Sequence, residues 1–239
     1  MICYTDIIDL WGDGFMIKAV IFDMFETLVS IFSGECYFSE HMAADLNVPV
    51  DEFRVPWHDT EWARSTGQKD MPEVVKICLE TLGIDSEEKA QLLVDHRREH
   101  LEAVFASTPK ETIELLQALK DRGLKIGLIS NCYSDEAQAI KESVLFPYFD
   151  AAALSYEQGI KKPDPEIFKR ATEMLGVSAS ECLYVGDGGS KELFAARDAG
   201  MKAVQARYFA HMAFEPHVPC AKLDEFDQAD TQMDVLKYL

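Results

Sequence analysis

The sequence predicts an α/β protein: an open parallel sheet with helices on both faces, interrupted after its first strand by an inserted bundle of helices. Three observations carry this. Strand-like apolar runs and amphipathic helical segments alternate five times along the chain, the pattern of a parallel sheet. The runs end on polar residues, the first and fourth of them on an acid (Asp23 and Asp187). Between them, residues 32–107 show helical spacing and no convincing strand.

Lys18-Ala-Val-Ile-Phe-Asp23 opens the pattern as a strand apolar on both faces, which requires cover from both sides. In residues 32–107, Tyr37 to Leu46 reads as a helix. Met71, Val74, Val75, Cys78, Leu79 and Leu82 recur at helical spacing before Gly83, and Asp85 and Ser86 cap a further helix. Trp57 to Asp70 reads as a loop rich in aromatics, hydroxyls and cations, so that Arg64 and Lys69 become candidates for ligand contact. His96-Arg-Arg-Glu99-His100 matches a zinc-protease pattern, but it lies on a densely charged helix with no third ligand in context and reads as a solvated face.

From Thr108 the rhythm is regular. Thr108-Pro109-Lys-Glu111 has the form of a capping box. The helix behind it stops at Gly123 and Leu124–Ile129 follows as a strand ending at Ser130-Asn131. A helix from Ser134 to Leu145, a strand at 150–154 and a Pro-locked loop carrying Lys161-Lys162 come next. After the helix that closes at Gly176, Ser178 to Glu181 forms another capping box. Cys182–Asp187 is the next strand, Ser190–Ala199 a helix, and Lys202–Arg207 the last strand; the remainder packs over the sheet.

With 23 Lys and Arg against 42 Asp and Glu, the net charge of −19 disfavours nucleic acid and anionic membranes as partners, but not a small anionic substrate. The six cysteines show no C-x-x-C spacing and read as reduced thiols; Cys132 reads as a packing residue. No apolar run reaches membrane-spanning length, and Asp6, Asp9 and Asp13 are hostile to a signal peptide. Residues 1–15 are read as an extension outside the core and the protein as cytoplasmic, a monomer or homodimer.

A parallel sheet would bring Asp23, Ser130-Asn131, Lys162 and Asp187 to one edge, where two acids, a hydroxyl and an ammonium make a site for a metal ion and an anion. In that order, Phe22-Asp23-Met-Phe-Glu-Thr27-Leu28, Ile129-Ser130-Asn131, Gly159-Ile-Lys-Lys162-Pro163-Asp-Pro165 and Val185-Gly186-Asp187 resemble the four motifs of the haloacid dehalogenase superfamily, in its subclass with a helical cap after the first strand. The resemblance implies a Rossmann-like core at 16–31 and 108–239 and a cap at 32–107. It implies Asp23 as nucleophile, Ser130 and Lys162 as partners of the transferring group, and Asn131 and Thr27 on the substrate side. It also implies Mg²⁺ held by Asp23, Asp187 and the carbonyl of Phe25, with Glu192 orienting metal waters or Lys162.

One departure matters. Members that cleave phosphate esters carry a second Asp two residues after the nucleophile, where this chain has Phe25. Acid–base help of that kind is worth about 10²–10⁴-fold. His41, His58 and Glu26 are candidate donors in its place. The expected activity is Mg²⁺-dependent hydrolysis of a small phosphorylated metabolite. Carbon–halogen hydrolysis, phosphonate cleavage with Lys69 as a Schiff base, and a non-catalytic phosphate-binding module remain alternatives. Retention of Asp187 argues against the first of these.

Overall fold

The computed structural model describes residues 16–239; the proposed extension at 1–15 lies outside the described residues. In chain order the elements are β1 (Ala19–Phe22), α1 (Ser39–Asp45), α2 (Val50–Asp59), α3 (Glu61–Ser65), α4 (Met71–Thr81), α5 (Glu87–Ala106), α6 (Lys110–Asp121) and β2 (Lys125–Ser130). Then follow α7 (Ser134–Glu142), β3 (Ala151–Leu154), α8 (Ser155–Gln158), α9 (Pro165–Leu175), β4 (Cys182–Gly186), α10 (Glu192–Asp198), β5 (Lys202–Ala206) and β6 (Asp227–Ala229).

The six strands form one parallel sheet in the order β3-β2-β1-β4-β5-β6. The chain leaves β1 to one side for β2 and β3, then returns to the other for β4, so the strand order reverses beside β1. Ligands of open α/β sheets bind at such a switch point. Side chains alternate across the sheet. Val20, Phe22, Leu128 and Val185 bury on one face with α6 and α7; Ala19, Ile21, Ile129 and Tyr184 bury on the other with α9 and α10. This double cover explains why β1 is apolar at every position.

Of the six helices between β1 and β2, α6 packs on the sheet, while α1, α2, α4 and α5 bury a third cluster centred on Met42, Phe53, Val75 and Leu93. Val104 and Phe105 of α5 join the apolar core over the sheet, and polar contacts add to this junction. Arg97 of α5 pairs with Asp135 (2.6 Å) and Glu136 (3.2 Å) in the first turn of α7. Lys161 pairs with Glu61 of α3 at 2.5 Å, and Ser134 Oγ accepts the Met71 N–H at 2.8 Å.

Five local expectations are corrected. The stretch from Trp57 to Asp70 is mostly helical: α2 runs through Asp59 and α3 follows at once, with Thr60 Oγ1 donating back to the carbonyls of Pro56 and Trp57. Hydroxyl and aromatic content suggested a loop, but the buried face of Trp57 gives the helix a reason to continue. The Thr108 capping box does not form. Thr108 Oγ1 donates to the Phe105 carbonyl instead, and Pro109 takes the cap position of α6. The helix after Asn131 ends at Glu142, three residues early, with Ser143 in extended backbone. The one expected from Ser190 begins at Glu192, because Ser190 and Lys191 adopt left-handed backbone (φ 52° and 56°). Beyond Tyr208 the chain adds β6 to the sheet edge as a sixth strand, too short at three residues to stand out by periodicity.

The paired histidines are not the solvated face expected. His100 is buried and bonds the Glu35 carbonyl (2.9 Å), and His96 bonds Asp45 (2.8 Å). Arg97 between them is buried by its two acids.

Candidate active site

Register brings the carboxyl ends of the central strands level. Phe22 pairs with Leu128 on one side and Val185 on the other, so Asp23 is level with Ile129 and Gly186, and Ser130 and Asp187 follow one residue further on. Its own N–H donates to the Val185 carbonyl at 2.9 Å, which fixes where the side chain leaves the sheet. The loop beyond is tied down by buried groups: Tyr208 donates its hydroxyl to the Thr27 carbonyl (2.6 Å), and Thr112 donates to that of Leu28 (3.0 Å).

Lys162 reaches Asp23 Oδ1 at 2.6 Å and Glu192 Oε2 at 2.5 Å. Lys162 is 2% exposed, Glu192 1% and Asp23 9%, so the three meet largely out of water. Asn131 clamps the lysine's backbone from both sides, its Oδ1 accepting the Lys162 N–H at 2.8 Å and its Nδ2 donating to the Lys162 carbonyl at 3.1 Å. Tyr184, on β4, donates its hydroxyl to Glu192 Oε2 at 2.8 Å. Gly188 N–H donates to the other Glu192 oxygen at 3.2 Å. Gly186 is what allows this: a Cβ there would lie 2.0 Å from Glu192 Oε1.

The electrostatics follow from burial. Burial alone would lower the Lys162 pKa, but the carboxylates of Asp23 and Glu192 outweigh it and hold the ammonium protonated. Burial, resisted by Lys162 and assisted by the charge of Asp187, raises Asp23. Burial likewise pushes Glu192 up to about 8. Two acids thus flank the ammonium, and a third, Asp187, lies beside them. Carboxylate oxygens of Asp23, Asp187 and Glu192 lie within 4.8 Å of one another, the one metal-competent grouping of His, Cys, Asp and Glu among the described residues. Both Glu192 oxygens are engaged by Lys162, Tyr184 and Gly188, and Asp187 Oδ1 accepts the Gly189 N–H at 2.8 Å. Asp23 and Asp187 each keep one oxygen outside these bonds. Two carboxylates with room for waters and an anionic oxygen fit Mg²⁺. Ser130 Oγ and Thr27 Oγ1 are buried without a partner among the described residues, and such hydroxyls are expected to serve a ligand or water.

The other expected residues lie apart from this cluster. Arg64 is 2% exposed and its guanidinium sits 4.1 Å from the Trp57 ring centre and 4.7 Å from that of Tyr133. It donates to the Trp57 carbonyl, Thr60 Oγ1 and the Tyr133 hydroxyl. Lys69 is half-exposed and makes no ion pair among the described residues. The Phe25 ring packs toward Phe105 of α5, ring centres 6.3 Å apart. Of the three candidate proton donors, His41 accepts the Phe38 N–H at 3.0 Å and His58 is exposed on α2. Glu26 lies closest to the acids; burial pushes it up to about 7. Cys132 is buried, its thiol pushed up to about 12 by burial, consistent with a packing role.

Tyr184 was missed by sequence reasoning. Its signal was present, since strand alternation puts it on the face of Gly186, but an aromatic in a buried strand reads first as core.

The family model for haloacid dehalogenase-like hydrolases matches residues 17–200, and the chain belongs to that family of hydrolases. Over 238 residues it is 26% identical to a glyceraldehyde 3-phosphate phosphatase of Methanopyrus kandleri, covering 94% of this chain and 99% of that one. It is 37% identical over 112 residues to a putative pyrophosphatase of Clostridium perfringens, spanning about half the length of each (46% and 49%). Among solved structures it resembles 2-haloacid dehalogenase from Pseudomonas syringae, with 24% identity, a TM-score of 0.67 and coverage of 93% and 97%. It also resembles a Bacteroides thetaiotaomicron family enzyme in complex with magnesium and inorganic phosphate, with 19% identity, a TM-score of 0.58 and coverage of 80% and 94%. These two likenesses concern the fold.

Proposed function

We propose that the protein is a Mg²⁺-dependent phosphatase acting on a small phosphorylated metabolite through an aspartyl-phosphate intermediate. The observation that carries this is the cluster at one sheet edge: Asp23 against the Lys162 ammonium, Asp187 beside it, and the unpartnered Ser130 hydroxyl. The phosphatase names of its relatives support the same reading.

Asp187 and the oxygen of Asp23 not bonded to Lys162 would hold Mg²⁺, with the backbone carbonyl of Phe25. When bound, the ion supplies positive charge that offsets the repulsion between a carboxylate and a phosphoryl group. The chain's own residues do the rest. An Asp23 oxygen forms the new bond to phosphorus as the ester P–O bond breaks, its electron pair leaving with the alkoxide, which takes a proton from solvent water. Lys162 and Ser130 hold the transferring oxygens, and Asn131 keeps Lys162 in line. Water then attacks phosphorus, the bond between phosphorus and the Asp23 oxygen breaks, inorganic phosphate and a proton leave, and the Asp23 carboxylate is restored. Glu192 serves by anchoring Lys162, with Tyr184 and Gly188 fixing its carboxylate.

Carbon–halogen hydrolysis is the second reading. Phe25 favours it, since halide leaves without a proton; the metal-competent grouping of Asp187 with Asp23 opposes it, because displacement of halide needs no metal ion.

A panel of phosphate esters and 2-haloacids assayed with Mg²⁺ and with chelator tests both. The expected result is ester hydrolysis that chelator abolishes and that Asp23→Asn reduces to background. Chelator-resistant release of halide with no ester cleavage would overturn the phosphatase reading in favour of the second.

A further inference from the structure

Three cavities stand out among the described residues. One of about 730 Å³ lies between α4, α5 and α7 and one of about 310 Å³ lies on α7, and none of Asp23, Ser130, Lys162 or Asp187 lines either. The third, about 280 Å³, has Asp187 in its wall. A carboxylate oxygen of Asp187 lies within 4.8 Å of one of Asp23, so this cavity begins where the nucleophile is.

Its walls come from two segments. One is the loop after β1, contributing Glu26, Ile31 and Phe32; the other is the chain from Ala206 to Cys220, between β5 and β6. Each is held in place by specific bonds. Glu26 adopts left-handed backbone (φ 57°), a conformation that costs about 1–3 kcal/mol away from glycine. Its carboxylate accepts from Ser30 Oγ (3.0 Å) and from the Ile31 N–H (2.8 Å), which turns the loop against the cavity. In the second segment, Arg207 Nη1 donates to the Cys220 carbonyl at 2.9 Å, and Arg207 forms no ion pair with an acid among the described residues. The rim is clasped to the inserted helices, with His217 Nε2 2.6 Å from Glu40 Oε1 and the His217 and Phe38 rings 4.5 Å apart.

The wall is thus largely apolar, with the carboxyl groups of Glu26 and Asp187, the His217 ring held by Glu40, and in Arg207 a guanidinium that pairs with no acid among the described residues. A pocket of that composition orients a small ligand by its few polar groups. At about 280 Å³ it has room for a short hydroxy or amino acid.

We propose that this cavity holds the part of the substrate that leaves, and that it selects phosphate esters of short carboxylic acids, the carboxylate facing Arg207 and a hydroxyl or ammonium facing Glu26. This rests on the phosphatase reading above and deepens it. It moves selectivity from the inserted helices, where Arg64 is already enclosed by Trp57 and Tyr133, to the segment between β5 and β6.

Three measurements test it on the full chain with Mg²⁺: kcat/KM for O-phosphoserine, kcat/KM for glyceraldehyde 3-phosphate, and exchange of ¹⁸O between water and inorganic phosphate, which involves no leaving group. Wild type is expected to prefer the acid-bearing ester. Arg207→Ala should lower the ratio of the two kcat/KM values by at least about tenfold, the worth of a hydrogen bond to a charged group, and Arg207→Lys should restore part of it. Ala213→Phe, which fills the cavity from a half-exposed position, should lower ester hydrolysis by at least about tenfold more than it lowers exchange. The proposal is overturned if Arg207→Ala affects both esters alike, or if Ala213→Phe affects esters and exchange alike. Wild type that neither exchanges ¹⁸O nor cleaves either ester overturns the phosphatase reading, and this one with it.

Discussion

Lys162 sits between two carboxylates, and the side chain that fixes their geometry is Tyr184. Its hydroxyl gives Glu192 a third bond, so the acid that anchors the lysine is itself held against rotation. A hydrogen bond from a neutral hydroxyl to a buried carboxylate contributes about 1.5–3 kcal/mol. Tyr184→Phe keeps the ring against Phe168 and removes only the bond. Urea unfolding should show a stability loss of about 1–3 kcal/mol, accompanied by lower kcat. An unchanged urea midpoint and unchanged kcat would mean that Glu192 is held by Lys162 and Gly188 alone. Phe25 is instructive in the opposite sense. Sequence reading saw a missing proton donor; the structure turns the ring toward α5, so the residue belongs to the packing between sheet and inserted helices.

At the level of elements, α5 and α7 meet through charge. Arg97 is paired with Asp135 and Glu136, and burial, though opposed by Arg97, pushes Glu136 from 4.5 up to about 7. A carboxyl whose pKa is higher in the folded than in the unfolded chain binds more protons when folded. Its contribution to stability is therefore complete below about pH 4.5 and is lost as pH rises through about 7. Glu136→Gln should remove that portion of the slope between those two pH values. Thermal melts of wild type and variant across the range check it, and parallel pH curves for the two proteins would show that Glu136 is not the group responsible. The aromatic stretch at Trp57 shows the limit of local composition at this scale. Its hydroxyls and cations suggested a loop, whereas the burial of Trp57 and Thr60 made it helix.

Across the whole molecule, 42 acids against 23 bases leave a charge of −19 that repels itself in the compact state. Raising ionic strength from about 0.01 M to about 0.15 M shortens the screening length from ~30 Å to ~8 Å. Tm should rise over that range by a few degrees in a scanning melt, and a fall would show that the surface ion pairs outweigh the net repulsion. No helix among the described residues is long and apolar enough to cross a membrane.

The parallel sheet, the helical insertion after β1 and the meeting of Asp23, Ser130, Lys162 and Asp187 were all determined by the sequence itself. Short apolar runs alternating with amphipathic helices build a sheet covered on both faces, and parallel strands deliver their last residues to a common edge. Which neighbours those residues acquire was decided by tertiary structure. Tyr184 reaches Glu192 because Gly186 leaves space, Arg64 is enclosed because two aromatic rings converge on it, and β6 and the cavity beside Asp187 exist because residues 206–229 fold back along the sheet. Periodicity records which face of an element is apolar; it carries no information about the distance between side chains that lie far apart in the chain.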